Sequence, residues 1–242
     1  MLFCSLNYIK IREGLQEHSV MAGFTIRRYE DDDEESVKEV FIMGMTEHLP
    51  SSFMHLLKQP LTQMVLMVTF CTLMASSKSF LLPVVAVTLL LAGGKQLVGY
   101  LFNSYINTSL KMDLNNIRET YLESQNSGFW VAESDGQVVG TVACLPSVSD
   151  PGVMELKRLS VRRTHRGRGM AKALSRTVAG FSGERGFSAV TLFTSIVQTD
   201  AQKLYEHLGY KQIREFVIPE LIAKIMNFTL IEYRLDLQPG KE

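Results

Sequence analysis

The stretch VRRTHRGRGMAKAL, Val161 to Leu174, decides the fold. It closes an apolar-rich run, Val153 to Val161, that reads as a strand. It opens a segment with apolar residues at Met170, Ala173, Leu174 and Val178, which is helical spacing. Between strand and helix lies the basic, glycine-rich turn Arg166-Gly167-Arg168-Gly169-Met170-Ala171. Glycines remove side chains where backbone N–H groups must approach an anion, and a helix that opens there offers its free N–H groups and the positive end of its dipole. That arrangement suits a pyrophosphate. Lys157, Arg158, Arg162, Arg163, Arg166 and Arg168 add six cations in twelve residues, enough charge to hold a further phosphate at the rim. The spacing is neither GxxxxGK[ST] nor GxGxxG, so nucleoside triphosphates and dinucleotides lose their usual support. A solvated basic loop would look the same in isolation, which makes the flanking order decisive.

Downstream of the turn the pattern predicts a strand at Phe187 to Ile196, a helix at about Thr199 to Leu208, a turn at Gly209 and two strands, Gln212 to Ile218 and Phe228 to Leu237. Upstream, Phe129 to Leu145 reads as a hairpin folded at Asp135-Gly136, and Asp113 can cap a helix through Tyr121 and Leu122. Phe24 to Tyr29 reads as a strand, followed by a helix to about His48 with N-cap candidates at Asp31 to Asp33. The acidic run Glu30 to Glu35 is then negative charge at a helix N-terminus rather than a metal site.

Between these halves lie two runs without charge, LTQMVLMVTFCTLMASS (Leu61 to Ser77) and SFLLPVVAVTLLLAGG (Ser79 to Gly94), separated by Lys78 and bracketed by Lys58 and Lys95. Each gives roughly 25 Å of helix against about 30 Å of bilayer hydrocarbon. A short-spanning or re-entrant hairpin fits better than one tall span, with two buried core helices as the alternative. The remaining composition excludes other classes. The 242 residues suit one domain with an insertion, and 46% hydrophobic residues exclude a disordered chain. Lys plus Arg and Asp plus Glu are both 25, so no global field attracts nucleic acid. Cys4, Cys71 and Cys144 are odd in number and far apart, and predict neither a disulfide framework nor a zinc site. Lys10, Arg12 and Glu13 interrupt any secretory signal near the start, and Met21 is an alternative first residue. The organisation that follows is an N-terminal extension over 1–20, a first strand and helix over 21–57, the apolar hairpin over 58–96, and the rest of the domain over 97–242.

The order strand (Leu159-Ser160-Val161), RxxGxA (Arg166 to Ala171), helix, strand, then AxxxY (Ala201 to Tyr205) and Gly209-Tyr210 resembles the GNAT superfamily of acetyl-CoA-dependent N-acetyltransferases. With FWVAESDGQVVG, the paired apolar runs after the first helix resemble its camello-like, membrane-bound group. The resemblance implies an α/β fold, a GNAT-type mixed central sheet flanked by helices, with acetyl-CoA as co-substrate. It implies backbone contacts from Leu159 and Val161 to the pantetheine arm, and from Arg166, Gly167, Arg168, Gly169, Met170 and Ala171 to the pyrophosphate. Glu155 falls where histone acetyltransferases of the superfamily carry a glutamate and is the candidate base; an ion pair with Lys157 or a nearby arginine is the alternative. Tyr205 is the candidate acid for the leaving thiolate. Many members have an asparagine shortly before AxxxY, where this chain has Gln198, which leaves contacts there open. His48, His55, His165 and His207 stand at no nucleophile or metal spacing and are assigned surface or structural roles. Ser160 and Ser195 lack a GxSxG context, so transfer is expected to be direct.

The function expected is a membrane-anchored N-acetyltransferase acting on a primary amine: a cysteine S-conjugate, a protein lysine or an amino acid such as aspartate. The alternative is a catalytically weak, acetyl-CoA-binding membrane protein that works through a partner. The expected location is a membrane, that of the endoplasmic reticulum, with the catalytic domain on the cytoplasmic side. The lipid bilayer is then a partner and nucleic acid is not.

Overall fold

The computed structural model describes residues 19–21, 23–77, 79–218 and 221–237. One mixed sheet contains β1 (Ser19–Met21), β2 (Phe24–Arg28), β3 (Gly128–Ser134), β4 (Gln137–Pro146), β5 (Val153–Val161), β6 (Ala189–Ser195), β7 (Lys211–Val217) and β8 (Thr229–Asp236), and its central strands β3, β4 and β6 are apolar-rich and buried. Their order is β1-β2-β3-β4-β5-β6-β8-β7, and every neighbouring pair is antiparallel except β5 with β6. The β3–β4 hairpin turns at Asp135 and Gly136, both at positive φ, the conformation that a two-residue turn demands.

The helices are α1 (Glu34–Thr46), α2 (Leu49–Lys58), α3 (Pro60–Ser77), α4 (Leu81–Lys111), α5 (Met170–Glu184), α6 (Thr199–His207) and the short α7 (Leu221–Ile225). One face of the sheet packs Met154, Leu156, Val190, Leu192 and Tyr233 against Leu174 and Val178 of α5 and Tyr205 of α6. The other packs Phe129, Val131 and Ala143 against Val37 and Phe41 of α1, Ile106 of α4 and Tyr121. A third cluster joins Leu56 of α2 and Val98 of α4 to Met226 and Phe228 of the β7–β8 connection.

Several boundaries differ from expectation for identifiable reasons. The first helix ends at Thr46, and α2 starts at Leu49 with Pro50, suited to a helix's first turn, as its second residue. Asp113 caps no helix: its carboxylate accepts hydrogen bonds from Arg158 and from the hydroxyl of Tyr121, and the segment after it forms a π-helical turn at Arg118–Glu123. The second apolar run is only the first part of α4, which continues unbroken to Lys111, where Ile106 and Ser109 are buried in the domain. No residue of α3 is buried. Lys78, the expected hairpin tip, and residues 1–18 lie outside the described residues; Ser19 to Met21 pair with β2 at the sheet edge.

The feature that the sequence pattern does not announce is in β5. Thr141 pairs with Ser160, but Ala143 pairs with Lys157, so β5 carries one extra residue, and Arg158 takes a left-handed φ of 55°. After this bulge Arg158, Ser160 and Arg162 all meet α1. The Arg158 guanidinium lies over Phe41, Ser160 Oγ donates to Val40 O at 3.2 Å, and Arg162 pairs with Glu39. Gly44 permits this approach, since a Cβ there would overlap Ser160 Oγ. Gly44→Ala is therefore expected to be about 1 kcal/mol more favourable in a Ser160→Ala background than in the wild type, because only in the latter does it cost the Ser160–Val40 bond. Urea unfolding of the four proteins of this cycle measures the difference; additive effects would contradict the packing.

Candidate active site

β5 and β6 run parallel and paired from Val153–Ala189 to Leu156–Leu192, and there the pairing ends. The outer half of β5 stays paired with β4 alone, through Ser160–Thr141 and Val161–Gly140. The sheet thus opens as a wedge at the carboxyl ends of the only parallel pair among the described residues, the place where open α/β sheets receive ligands. α5 follows β5 and α6 follows β6, so both helices begin at this opening.

The basic turn sits at the mouth of the wedge. Gly167 and Gly169 have φ of 77° and 82°, a region that favours glycine, and a Cβ at either would meet no atom within 4 Å. The requirement is therefore conformational and the surrounding space is open. Gly169 is the N-cap of α5 and no side chain caps that helix, so its first-turn N–H groups have no side-chain acceptor. Of the six cations, four are already paired: Lys157 with Glu155, Arg158 with Asp113, Arg162 with Glu39 and Arg166 with Glu47. Arg166 also donates from Nε to Val161 O at 3.0 Å, so its side chain locks the turn onto β5 and α1. Among the described residues Arg163 and Arg168 form no ion pair, which leaves them as the turn's uncommitted charges.

Leu159 and Val161 point into the core beneath α5, and their backbone lies on the strand edge that β6 has left. Glu155 stands just before the opening, in register with Leu145 on β4 and Thr191 on β6. Its side chain is mostly buried, with Lys157 Nζ 3.3 Å from Oε1. Tyr205 is buried among Tyr210 and Tyr233, with ring centroids 5.8 and 5.9 Å away, and burial pushes its hydroxyl pKa well up, so it holds its proton at neutral pH. Met154 and Leu156 share a cluster with Tyr205, so alternation puts Glu155 on the opposite face of the sheet. The two candidates thus stand on opposite faces of the sheet.

Gln198 has its own task in this chain. Its Oε1 accepts hydrogen bonds from Ser195 N at 3.0 Å and Thr194 Oγ1 at 3.0 Å, which ties the start of α6 to the end of β6. His48, assigned no chemistry from sequence, lies in the α1–α2 turn within the electrostatic reach of Glu47, Arg166 and Asp200. Burial, reinforced by the Arg166 charge, lowers its pKa, so it is a neutral imidazole at neutral pH near the same end of the sheet. No short motif marks it; only the fold brings residue 48 within electrostatic reach of residue 200.

The elements fit one chemistry. An uncapped helix with a glycine turn receives phosphate oxygens, and an unpaired strand edge offers amide partners to an extended arm. A protonated hydroxyl, Tyr205, and a carboxylate, Glu155, stand on opposite faces of the same sheet. The model of the acetyltransferase (GNAT) family matches residues 97–210. N-acetyltransferase 8 of Rattus norvegicus is 40% identical over 217 residues, covering 88% of this chain and 97% of that one. N-acetyltransferase 8F1 of the same species is 44% identical over 196 residues, 79% of this chain and 88% of that one. The "Probable N-acetyltransferase camello" of Xenopus tropicalis is 35% identical over 218 residues, covering 90% and 100%. A GNAT acetyltransferase structure from Staphylococcus aureus Mu50 superposes with a TM-score of 0.55 at 18% identity, covering 89% of this chain and 99% of that one, a likeness of fold. The chain belongs to the GNAT family of acetyltransferases, in the N-acetyltransferase 8 branch that includes camello, and is an acetyl-CoA-dependent N-acetyltransferase.

Proposed function

We propose that the protein is anchored in a membrane by α3 and the first part of α4 and acetylates a primary amine at the wedge between β5 and β6. The observation that carries this is the wedge itself, with Glu155 on one face and Tyr205 on the other. When bound, acetyl-CoA supplies an acetyl group as a thioester. The turn from Arg166 to Ala171 holds its phosphates through backbone N–H groups, with Arg163 and Arg168 at the rim. Leu159 and Val161 hold the pantetheine arm through their peptide groups. Glu155 takes the proton that the amine nitrogen must lose, directly or through a water, and Tyr205 donates its hydroxyl proton to the departing sulfur. Placing base and acid on opposite faces separates the acceptor's entry from the thiol's exit, which suits direct transfer.

Membrane anchoring is supported by the apolar side chains that α3 and α4 leave exposed, among them Leu61, Met64, Met67, Leu81, Leu82 and Leu89. α3 has 18 residues, about 27 Å of helix, close to the hydrocarbon thickness. α2 and the later part of α4 pack on the domain, so both ends of the hairpin return to one side. The hairpin puts the wedge near a lipid surface, where amphipathic amines concentrate. Cysteine S-conjugates, protein lysines and aspartate are the acceptor classes to test. The endoplasmic reticulum is the membrane we favour, and the cytoplasm the side, because acetyl-CoA is abundant there. The contact between Lys157 and Glu155 favours a second reading, in which Glu155 is an ion-pair partner and the protein binds acetyl-CoA with little turnover.

Three outcomes are expected. Gly169→Glu meets no neighbour, but it strains a backbone held at φ 82° and puts a carboxylate at the mouth of α5; calorimetry should show acetyl-CoA affinity reduced by at least about ten-fold, the loss of one charge-assisted site. Glu155→Gln should lower turnover on a panel of amines most at low pH, where the acceptor amine is mainly protonated, and Tyr205→Phe should lower turnover with acetyl-CoA affinity near normal. Unchanged rates in both variants would exclude these two residues from proton transfer, and acetyl-CoA binding without turnover on any amine would favour the second reading. In sealed microsomes, tags at residues 1 and 242 should share the same protease sensitivity; one protected and one cleaved would refute the hairpin.

A further inference from the structure

We propose that Arg158 is a positioning residue for acetyl-CoA, which holds the outer half of β5 away from β6 through its ion pair with Asp113 beyond the end of α4. This rests on the reading that the free edge of β5 receives the cofactor arm. A left-handed backbone is unfavourable for a residue with a side chain and persists only where its surroundings over-determine it. At Arg158 they do. Nε donates to Asp113 Oδ2 at 2.8 Å, Nη2 donates to Oδ1, and Nη1 donates to Ser109 Oγ at 3.2 Å. The guanidinium carbon Cζ lies 4.8 Å from the Phe41 ring centre, and the Arg158 carbonyl accepts from Thr141 Oγ1 at 2.8 Å. Asp113 is fixed in turn by the hydroxyl of Tyr121. The fork of the guanidinium, which a single ammonium does not reproduce, thus joins the segment beyond α4 to the first of the two residues, Arg158 and Leu159, that β5 sets against Val142 alone on β4.

The consequence for the site follows from register. The bulge residue accommodates the extra length of β5, so releasing it lets the strand slip by one, and a one-residue slip turns Leu159, Ser160 and Val161 to the wrong faces. Ser160 would leave Val40, and the edge that faces the wedge would present different peptide groups. With the pair intact, the edge is shaped before any ligand arrives, so the affinity for acetyl-CoA includes little cost of ordering it. Arg158 therefore touches no part of the reaction; it acts through the strand that it bends.

The test uses the full chain in detergent micelles with acetyl-CoA as the probe. Asp113→Asn removes the charge and keeps the shape. The pair Asp113→Asn with Arg158→Gln leaves no unmatched buried charge, which protects the fold if the single variant fails to fold. The expected result is that the neutral pair binds acetyl-CoA about ten-fold more weakly, within the usual range of coupling between sites. Its melting midpoint should stay near the wild type, and amide exchange at Leu159 to Val161 should quicken without ligand. Asp113→Glu, which keeps the carboxylate, should restore most of the affinity. Wild-type affinity in the neutral pair would overturn the proposal, as would a loss that merely follows a lowered melting midpoint with unchanged exchange at 159–161. Gly169→Glu is the control: if it too leaves binding intact, the reading of the site has failed, whereas its loss beside an unaffected neutral pair refutes the positioning role alone.

Discussion

The structure depends on one constraint: β5 must leave β6 after Leu156 and yet remain in the sheet. Two parallel strands that part company expose peptide groups, and buried peptide groups are costly unless something takes their place. The protein meets this cost on three sides. β4 keeps the inner ladder of β5 through Val161, α1 lies along its outer face at Arg158, Ser160 and Arg162, and Arg166 donates to the carbonyl of Val161. What is left open is the edge facing β6. The glycine turn and the N-terminus of α5 stand at its end, so on the proposed reading the same departure creates both the slot for an extended arm and the cradle for its phosphates.

Much of this was legible in the sequence because local rules coincide with the fold. The RGRGMA turn, the Asp135-Gly136 hairpin, and the strands and helices from Phe129 to Leu237 obey short-range conformational preferences, and the structure repeats them with shifts of a residue or two at their ends. The bulge was not legible. Leu159 and Val161 look like ordinary alternation, and nothing near Arg158 in sequence reveals that its partner is residue 113. Charge was misleading for the same reason. Six cations in twelve residues suggest a phosphate rim, but Glu39, Glu47 and Asp113, distant in sequence, take three of them and Glu155 a fourth. Composition counts cations; only the fold says which are already spent on carboxylates.

His48 and Gln198 make the complementary point. A histidine without a motif partner has no chemical meaning in a linear reading, because its pKa is set by what the fold buries it against. Gln198 looked like a departure at a cofactor contact. It is the residue that fastens the start of α6 to β6, and so it fixes where Tyr205 stands relative to the wedge.

α4 joins two regions that are usually separate in a tethered enzyme. Its 31 residues form one helix, a rod of about 46 Å, whose first part is apolar and exposed and whose last turns are built into the domain beside Asp113. A flexible leash would let the domain wander above its anchor. A rod does not: tilt at one end is tilt at the other. On the proposed membrane reading, bilayer thickness becomes a mechanical input, since a thicker or thinner hydrocarbon layer leans the rod and with it the carboxylate that holds the bend in β5. Acetyl-CoA affinity would then vary with the lipids around the enzyme, and micelles of different width would return different constants for the same protein.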